Sequence, residues 1–194
     1  MGFAEPEQRY HNGTSLARPA KVNMTIRSLK GKSPQIDPTA FVSEDAYLIG
    51  DIEIGPRASI WPGVVLRADR GKMTVGEGTN IQDGSICHSD GNMDIGAFVT
   101  LGHAVVCHAR SIGNHCLLGN NCTLNDQTSV GDWSIVAAGS VVIEGRDVPA
   151  NCVWAGVPGK VIGPMQQKHY DMVKMNADEY VTLGQDYKDE GNLE

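Results

Sequence analysis

Residues 111–148 read SIGNHCLLGNNCTLNDQTSVGDWSIVAAGSVVIEGRDV, and an aliphatic residue returns at every sixth place: Ile112, Leu118, Leu124, Val130, Val136, Val142 and Val148. A helix repeats at about 3.6 residues and a half-buried strand at about 2, so neither explains a period of six. A short strand followed by a turn, stacked as one side of a prism, does. Working outward, Ile36, Val42, Leu48, Ile54, Ile60 and Leu66 keep the same spacing, and Val75, Ile81, Cys87 and then Ile95, Leu101, Cys107 resume it after breaks. The chain is therefore read as all-β, a parallel β-helix built of hexapeptide repeats. With three sides, a coil takes about 18 residues and rises roughly 4.8 Å. The nineteen repeat positions predict six to seven coils.

Composition agrees with stacked strands. The 194 residues carry 18 Val and 13 Ile against 10 Leu, with 23 Gly to turn corners and 11 aromatics, too few to fill an ordinary sandwich. Gly often follows the aliphatic residue, as at Ile95-Gly96, Leu101-Gly102 and Ile112-Gly113. A formal charge of -7 repels polyanions, so neither nucleic acid nor a membrane surface is an expected partner. No secretory leader or long apolar run is read, which gives a cytoplasmic expectation. Cys87, Cys107, Cys116, Cys122 and Cys152 all fall on repeat positions or four beyond one, and read as reduced core residues.

Three segments follow: an extension without periodicity at 1–23, the β-helix domain at 24–163, and a C-terminal helix with an acidic tail at 164–194. Met165, His169, Met172, Val173, Asn176, Tyr180 and Leu183 have helical spacing, which predicts a helix over about 165–185 laid along the prism, with Tyr180 a packing residue. His11, His115 and His169 read as ordinary polar residues.

The register also places polar residues. Leu66, Cys87 and Cys107 stack on one wall, so Arg67, His88 and His108, which follow them, stand above one another within reach of one small ion. The breaks at 66–75 and 87–95 are expected to insert loops beside that wall. His103 follows Leu101 by two and belongs to a different wall, with Gln82 arriving beside it. A metal site using all three histidines therefore needs a second subunit, most simply in a symmetric trimer. Arg67, Asp69 and Asp83 are equally suited to an ion-pair network between subunits.

The segments Ser59-Ile-Trp-Pro-Gly-Val-Val-Leu-Arg-Ala-Asp69, Thr79-Asn-Ile-Gln-Asp-Gly84, His88, Val99-Thr-Leu-Gly-His103-Ala-Val-Val-Cys-His108 and Ala155-Gly-Val-Pro-Gly-Lys160 resemble the gamma-class carbonic anhydrases, in particular their shorter bacterial branch. The resemblance implies a left-handed coil and a homotrimer. It also implies a lyase (carbonate dehydratase) that reversibly hydrates CO2 to bicarbonate by metal-bound hydroxide at the trimer interface. It makes His88 and His108 of one chain and His103 of the next the ligands of zinc, or alternatively Fe(II) or Co(II). Gln82 and Asn80 become the groups that orient the reactants, and Arg67, Asp69 and Asp83 the charged set around them. The chain departs from the founding members at Arg70 and in the short loop 89–94, where those carry acidic proton-shuttle residues. The competing expectation on the same scaffold is an acyltransferase or acyl-CoA thioesterase with a single His base and a coenzyme A groove. A non-catalytic scaffold is the third.

Overall fold

The computed structural model describes residues 25–190. They form the expected parallel β-helix closed by one helix. The expected extension at 1–23 lies outside the described residues.

Three walls make the prism. The first stacks Phe41–Val42, Ser59–Ile60, Asn80–Ile81, Thr100–Leu101, Leu117–Leu118, Ile135–Val136 and Cys152–Gly156. In the second, Leu48 pairs with Leu66, Leu66 with Cys87, Cys87 with Cys107, Cys107 with Leu124, and Leu124 with Val142. Ile54, Val75, Ile95, Ile112, Val130 and Val148 stack in the third. The hexapeptide positions of these walls stand in register, and from Leu48 to Val148 all are buried; Val42, nearer the open end, is half-buried. At roughly 1.5–3 kcal/mol for each Val, Leu or Ile taken from water, this column drives the fold. The cysteines are core residues as expected, free and buried.

One expectation needs correction. The break at 66–75 is not a loop: Val65–Val75 is a continuous strand that runs through the corner and joins the second and third walls into one sheet. Tyr47–Ile54 does the same below it, and the extra residues of the upper strand are absorbed where pairing jumps from Gly50–Ala68 to Ile52–Met73. Gly50 has φ +101° there, and a Cβ on it would lie 2.0 Å from the Ala68 carbonyl oxygen, so only glycine fits. The second break does contain a bend, at Ser89–Asn92, which sits against the bulge of the first: Lys72 N donates to Asn92 Oδ1 at 3.0 Å.

Cys152–Gly156 turns back as an antiparallel hairpin with Gly159–Pro164, an element the hexapeptide pattern does not announce, and so covers the last open edge of the first wall. The helix spans Gln167–Asp189, two residues later at its start and four later at its end than the spacing predicts. It lies on the first wall with Val173, Ala177 and Gly184 buried. Met165 and Val173 pack with Ile135 at one end. At the other, Tyr180 and Tyr187 meet Trp61 edge-on at 5.4 and 5.1 Å. Tyr180 thus packs as expected. His169 does more than expected, since its Nδ1 accepts from Gln166 N at 3.1 Å and caps the helix.

Candidate metal centre

The residue directly after each inward aliphatic is where the prism turns. On the third wall that place is held by Gly55, Gly76, Gly96, Gly113 and Gly131. A Cβ on Gly76 would sit 2.5 Å from the Gly96 backbone, and one on Gly113 2.7 Å from Asp132 N, so side chains are excluded. On the second wall the same place holds Arg67, His88 and His108. Here the distance to the next aliphatic is nine, eight and five residues instead of six, and the corner carries side chains, as it also does at Ile49, Asn125 and Ile143 of the same wall.

His88 and His108 come together as the register requires. His88 Nδ1 lies 2.7 Å from His108 Nε2. The outer nitrogen of His88, Nε2, donates to Asp69 Oδ1 at 2.9 Å, and the second oxygen of that carboxylate takes a hydrogen bond from Arg67. The His88 bond, helped by Arg67 and opposed by burial, holds the Asp69 carboxyl below the usual carboxylate range. The outer nitrogen of His108, Nδ1, is buried and makes no aligned hydrogen bond; the Asp126 carboxylate lies directly against it. Burial, then the charge of His88, pushes the His108 pKa down, which favours the neutral ring. A neutral imidazole is the form that ligates metal.

The second cluster sits in the corner between the first and second walls, at the far edge of the second. His103 is half exposed, with Nδ1 3.1 Å from Asp83 Oδ2, and its backbone N–H donates to Asn120 Oδ1 at 3.0 Å. Asp83 thus lies directly against it. Gln82 lies one place earlier, buried, and its amide donates to Asn80 Oδ1 at 3.0 Å while Asn80 donates to Thr100 Oγ1 at 2.9 Å. Between the two edges runs an apolar strip of outward side chains, Val65, Ile86 and Val106, in mutual register. Ile86 and Val106 are each 44% exposed. One chain therefore brings Arg67, Asp69, His88 and His108 together on one edge and Asn80, Gln82, Asp83 and His103 on the other. Among the described residues no three His, Cys, Asp or Glu side chains converge on one point.

The donor chemistry fits a divalent ion as a half-site. Two imidazoles offer adjacent nitrogens, each is backed by a carboxylate, and one outer nitrogen is buried without an aligned hydrogen bond. Asp126 is absent from the sequence-based set. Its signal was available, because Leu124 stacks on Cys107 and places residues 125–126 in the coil above His108. His115 was also underread: it lies parallel between Phe98 at 5.4 Å and Trp133 at 4.2 Å, on an edge away from the histidine pair.

Comparison with known proteins supplies the family. The family described as bacterial transferase hexapeptide (six repeats) matches residues 111–144. A carbonic anhydrase of Geobacillus kaustophilus is 35% identical over 165 residues, covering 84% of this chain and 91% of that protein. The chain belongs to the gamma carbonic anhydrase family. A mitochondrial gamma carbonic anhydrase 2 of Arabidopsis thaliana is 35% identical over 87% of this chain, which spans 63% of that relative's length. Among solved structures, a hexapeptide transferase family protein from Anaplasma phagocytophilum superposes with TM-score 0.73 at 37% identity, covering 86% of this chain and 99% of that one. Gamma carbonic anhydrases and hexapeptide transferases thus both lie near this fold, and the discrimination falls to the residues of the site. No helix among the described residues is long and apolar enough to cross a membrane.

Proposed function

We propose that this protein is a metal-dependent carbonic anhydrase, a lyase that interconverts CO2 and bicarbonate at the interfaces of a homotrimer. The observation that carries this reading is the separation of two complementary half-sites by an exposed apolar strip on one wall. A three-fold assembly that covers Val65, Ile86 and Val106 sets the His88/His108 edge of one protomer against the His103 edge of the next, and both needs are met by one interface.

His88 and His108 from one protomer and His103 from its neighbour would hold zinc, or alternatively Fe(II) or Co(II). Such an ion, ligated by three neutral imidazoles, supplies Lewis acidity that brings the pKa of a coordinated water towards 7. The remaining work belongs to the chain. Asn80, fixed by Thr100, holds the Gln82 amide in one orientation, so the Gln82 carbonyl oxygen is set to accept a hydrogen bond from the reacting hydroxyl group. Arg67 keeps guanidinium N–H groups beyond the one spent on Asp69, which suit the anionic bicarbonate. Asp69 and Asp83 fix the rings of His88 and His103. Five free, buried cysteines suit a reducing compartment, in keeping with a cytoplasmic enzyme.

A mixing experiment tests this directly. His103→Ala and His88→Ala proteins should each be inactive in stopped-flow CO2 hydration. Unfolded and reassembled together in equal amounts, they should recover about a quarter of the sites, because a random interface draws its two intact halves from different chains that often. Recovery of nothing beyond the separate proteins would place all three ligands in one chain and end the shared-site reading. The alternative is the acyltransferase or thioesterase, favoured by the Anaplasma structure. It requires acyl-CoA turnover that survives removal of metal.

A further inference from the structure

Each histidine of the two half-sites has one carboxylate behind it: Asp69 behind His88 at 2.9 Å, Asp83 behind His103 at 3.1 Å, and Asp126 behind His108. Asp69 and Asp83 come from the coil below their histidines, whereas Asp126 comes from the coil above. We propose that Asp126 is a positioning residue for His108, taking the proton of Nδ1 in a hydrogen bond so that Nε2 is presented as a bare lone pair towards His88. The proposal rests on the reading of His88 and His108 as metal ligands.

Three features support it. Asp126 stands in a turn pinned on both sides: Gly145 N donates to its carbonyl oxygen at 3.0 Å, and Thr128 Oγ1 donates to the Asn125 carbonyl at 2.7 Å. Its neighbour Asn125 turns away, spending its amide on the Val142 carbonyl at 3.1 Å, so the turn offers His108 the carboxylate alone. Finally, no Lys or Arg among the described residues pairs with Asp126, unlike Asp69, which also serves Arg67. A carboxylate that a surface ion pair does not explain, held against the buried outer nitrogen of a candidate ligand, matches the outer-sphere partner that fixes tautomer and ring orientation at metal centres.

The test compares full-length wild type with Asp126→Ala and the isosteric Asp126→Asn in zinc competition against a chromophoric chelator, and repeats the three in a metal-free His88→Ala background, where no second ring takes the proton of His108 Nε2, for long-range proton–nitrogen NMR. In that background with Asp126 intact, His108 should show a single Nδ1–H tautomer. Asp126→Ala should lose that preference and bind zinc about 10–100-fold more weakly. Asp126→Asn, whose amide oxygen still accepts the Nδ1 proton, should keep the tautomer and lose less affinity than the alanine variant. Unchanged tautomer and zinc affinity within about twofold in Asp126→Ala would overturn the proposal. Should wild type bind no stoichiometric zinc, the metal reading fails, and the tautomer signal alone decides the role of Asp126: lost in the alanine variant it stands, retained it falls.

Discussion

The prism has two edges that begin with the same structural step and end in opposite chemistry. After the third wall, the residue following each inward aliphatic is glycine in five coils, because the next coil's backbone stands where a Cβ would go. After the second wall, Arg67, His88 and His108 occupy that place. The difference lies in which corner of the prism the residue occupies. After the third wall the next coil closes the corner on glycine, whereas after the second wall the same place carries side chains both at six-residue steps, as at Ile49, Asn125 and Ile143, and at the nine-, eight- and five-residue steps of Arg67, His88 and His108. One edge makes the scaffold, and the other leaves room for function.

Four measurements break or sharpen this contrast. The largest effect is expected at the open edges: His103→Ala should lower the CO2 hydration rate by more than about 100-fold, beyond the loss typical of an outer-sphere partner, while leaving the unfolding midpoint close to wild type. A variant with full activity would remove His103 from the site. Next, Val106→Asp places a charge in the apolar strip between the half-sites. Sedimentation should show protomers in place of trimers, with activity falling in step; an intact active trimer would mean that the interface lies elsewhere. At the tight edge, Gly113→Val should cost about 2–4 kcal/mol in urea unfolding, since its side chain would enter Asp132. A neutral outcome there would show that the corner is looser than its geometry.

The smallest effect concerns His115. Burial between Phe98 and Trp133 lowers its folded pKa, opposed by Asp132 and Asp178 and aided by Lys174. Because the folded value is depressed, the unfolded chain takes the proton first. The contribution of His115 is therefore complete above the ordinary histidine pKa of about 6.5 and is lost as pH falls below it. Replacing His115 by Phe should flatten the slope of stability between about pH 7 and 5, whereas an unaltered slope would assign it to other groups.

Much of the molecule was legible in its letters. The period of six foretold the coils and the burial of Leu66, Cys87, Cys107 and their fellows, since a solenoid repeats one local environment along the chain. It also foretold the stacking of Arg67, His88 and His108; His103, read as belonging to a different wall, stands in the corner between the first wall and theirs. What it missed has physical causes. The hairpin at Cys152–Pro164 is antiparallel and leaves the repeat, so the period carries no trace of it. Asp126 follows Leu124 by two, the offset at which His103 follows Leu101, yet the turn Asn125–Thr128 aims it back at His108 in the coil below. The stretch 66–75 reads as an insertion, yet extended backbone across a corner satisfies more main-chain hydrogen bonds than a free loop would.

Sequence alone thus determined the architecture, because apolar side chains recurring every six residues can be buried together only by coiling the chain into a stacked prism. It also determined which side chains fall on which wall, because register fixes facing. The tertiary structure decided what those side chains meet: that His88 and His108 present adjacent nitrogens, that a carboxylate stands behind each histidine, and that one chain keeps His103 apart from them. Such meetings depend on rotamers, corner geometry and contacts between coils, which no spacing along the chain encodes.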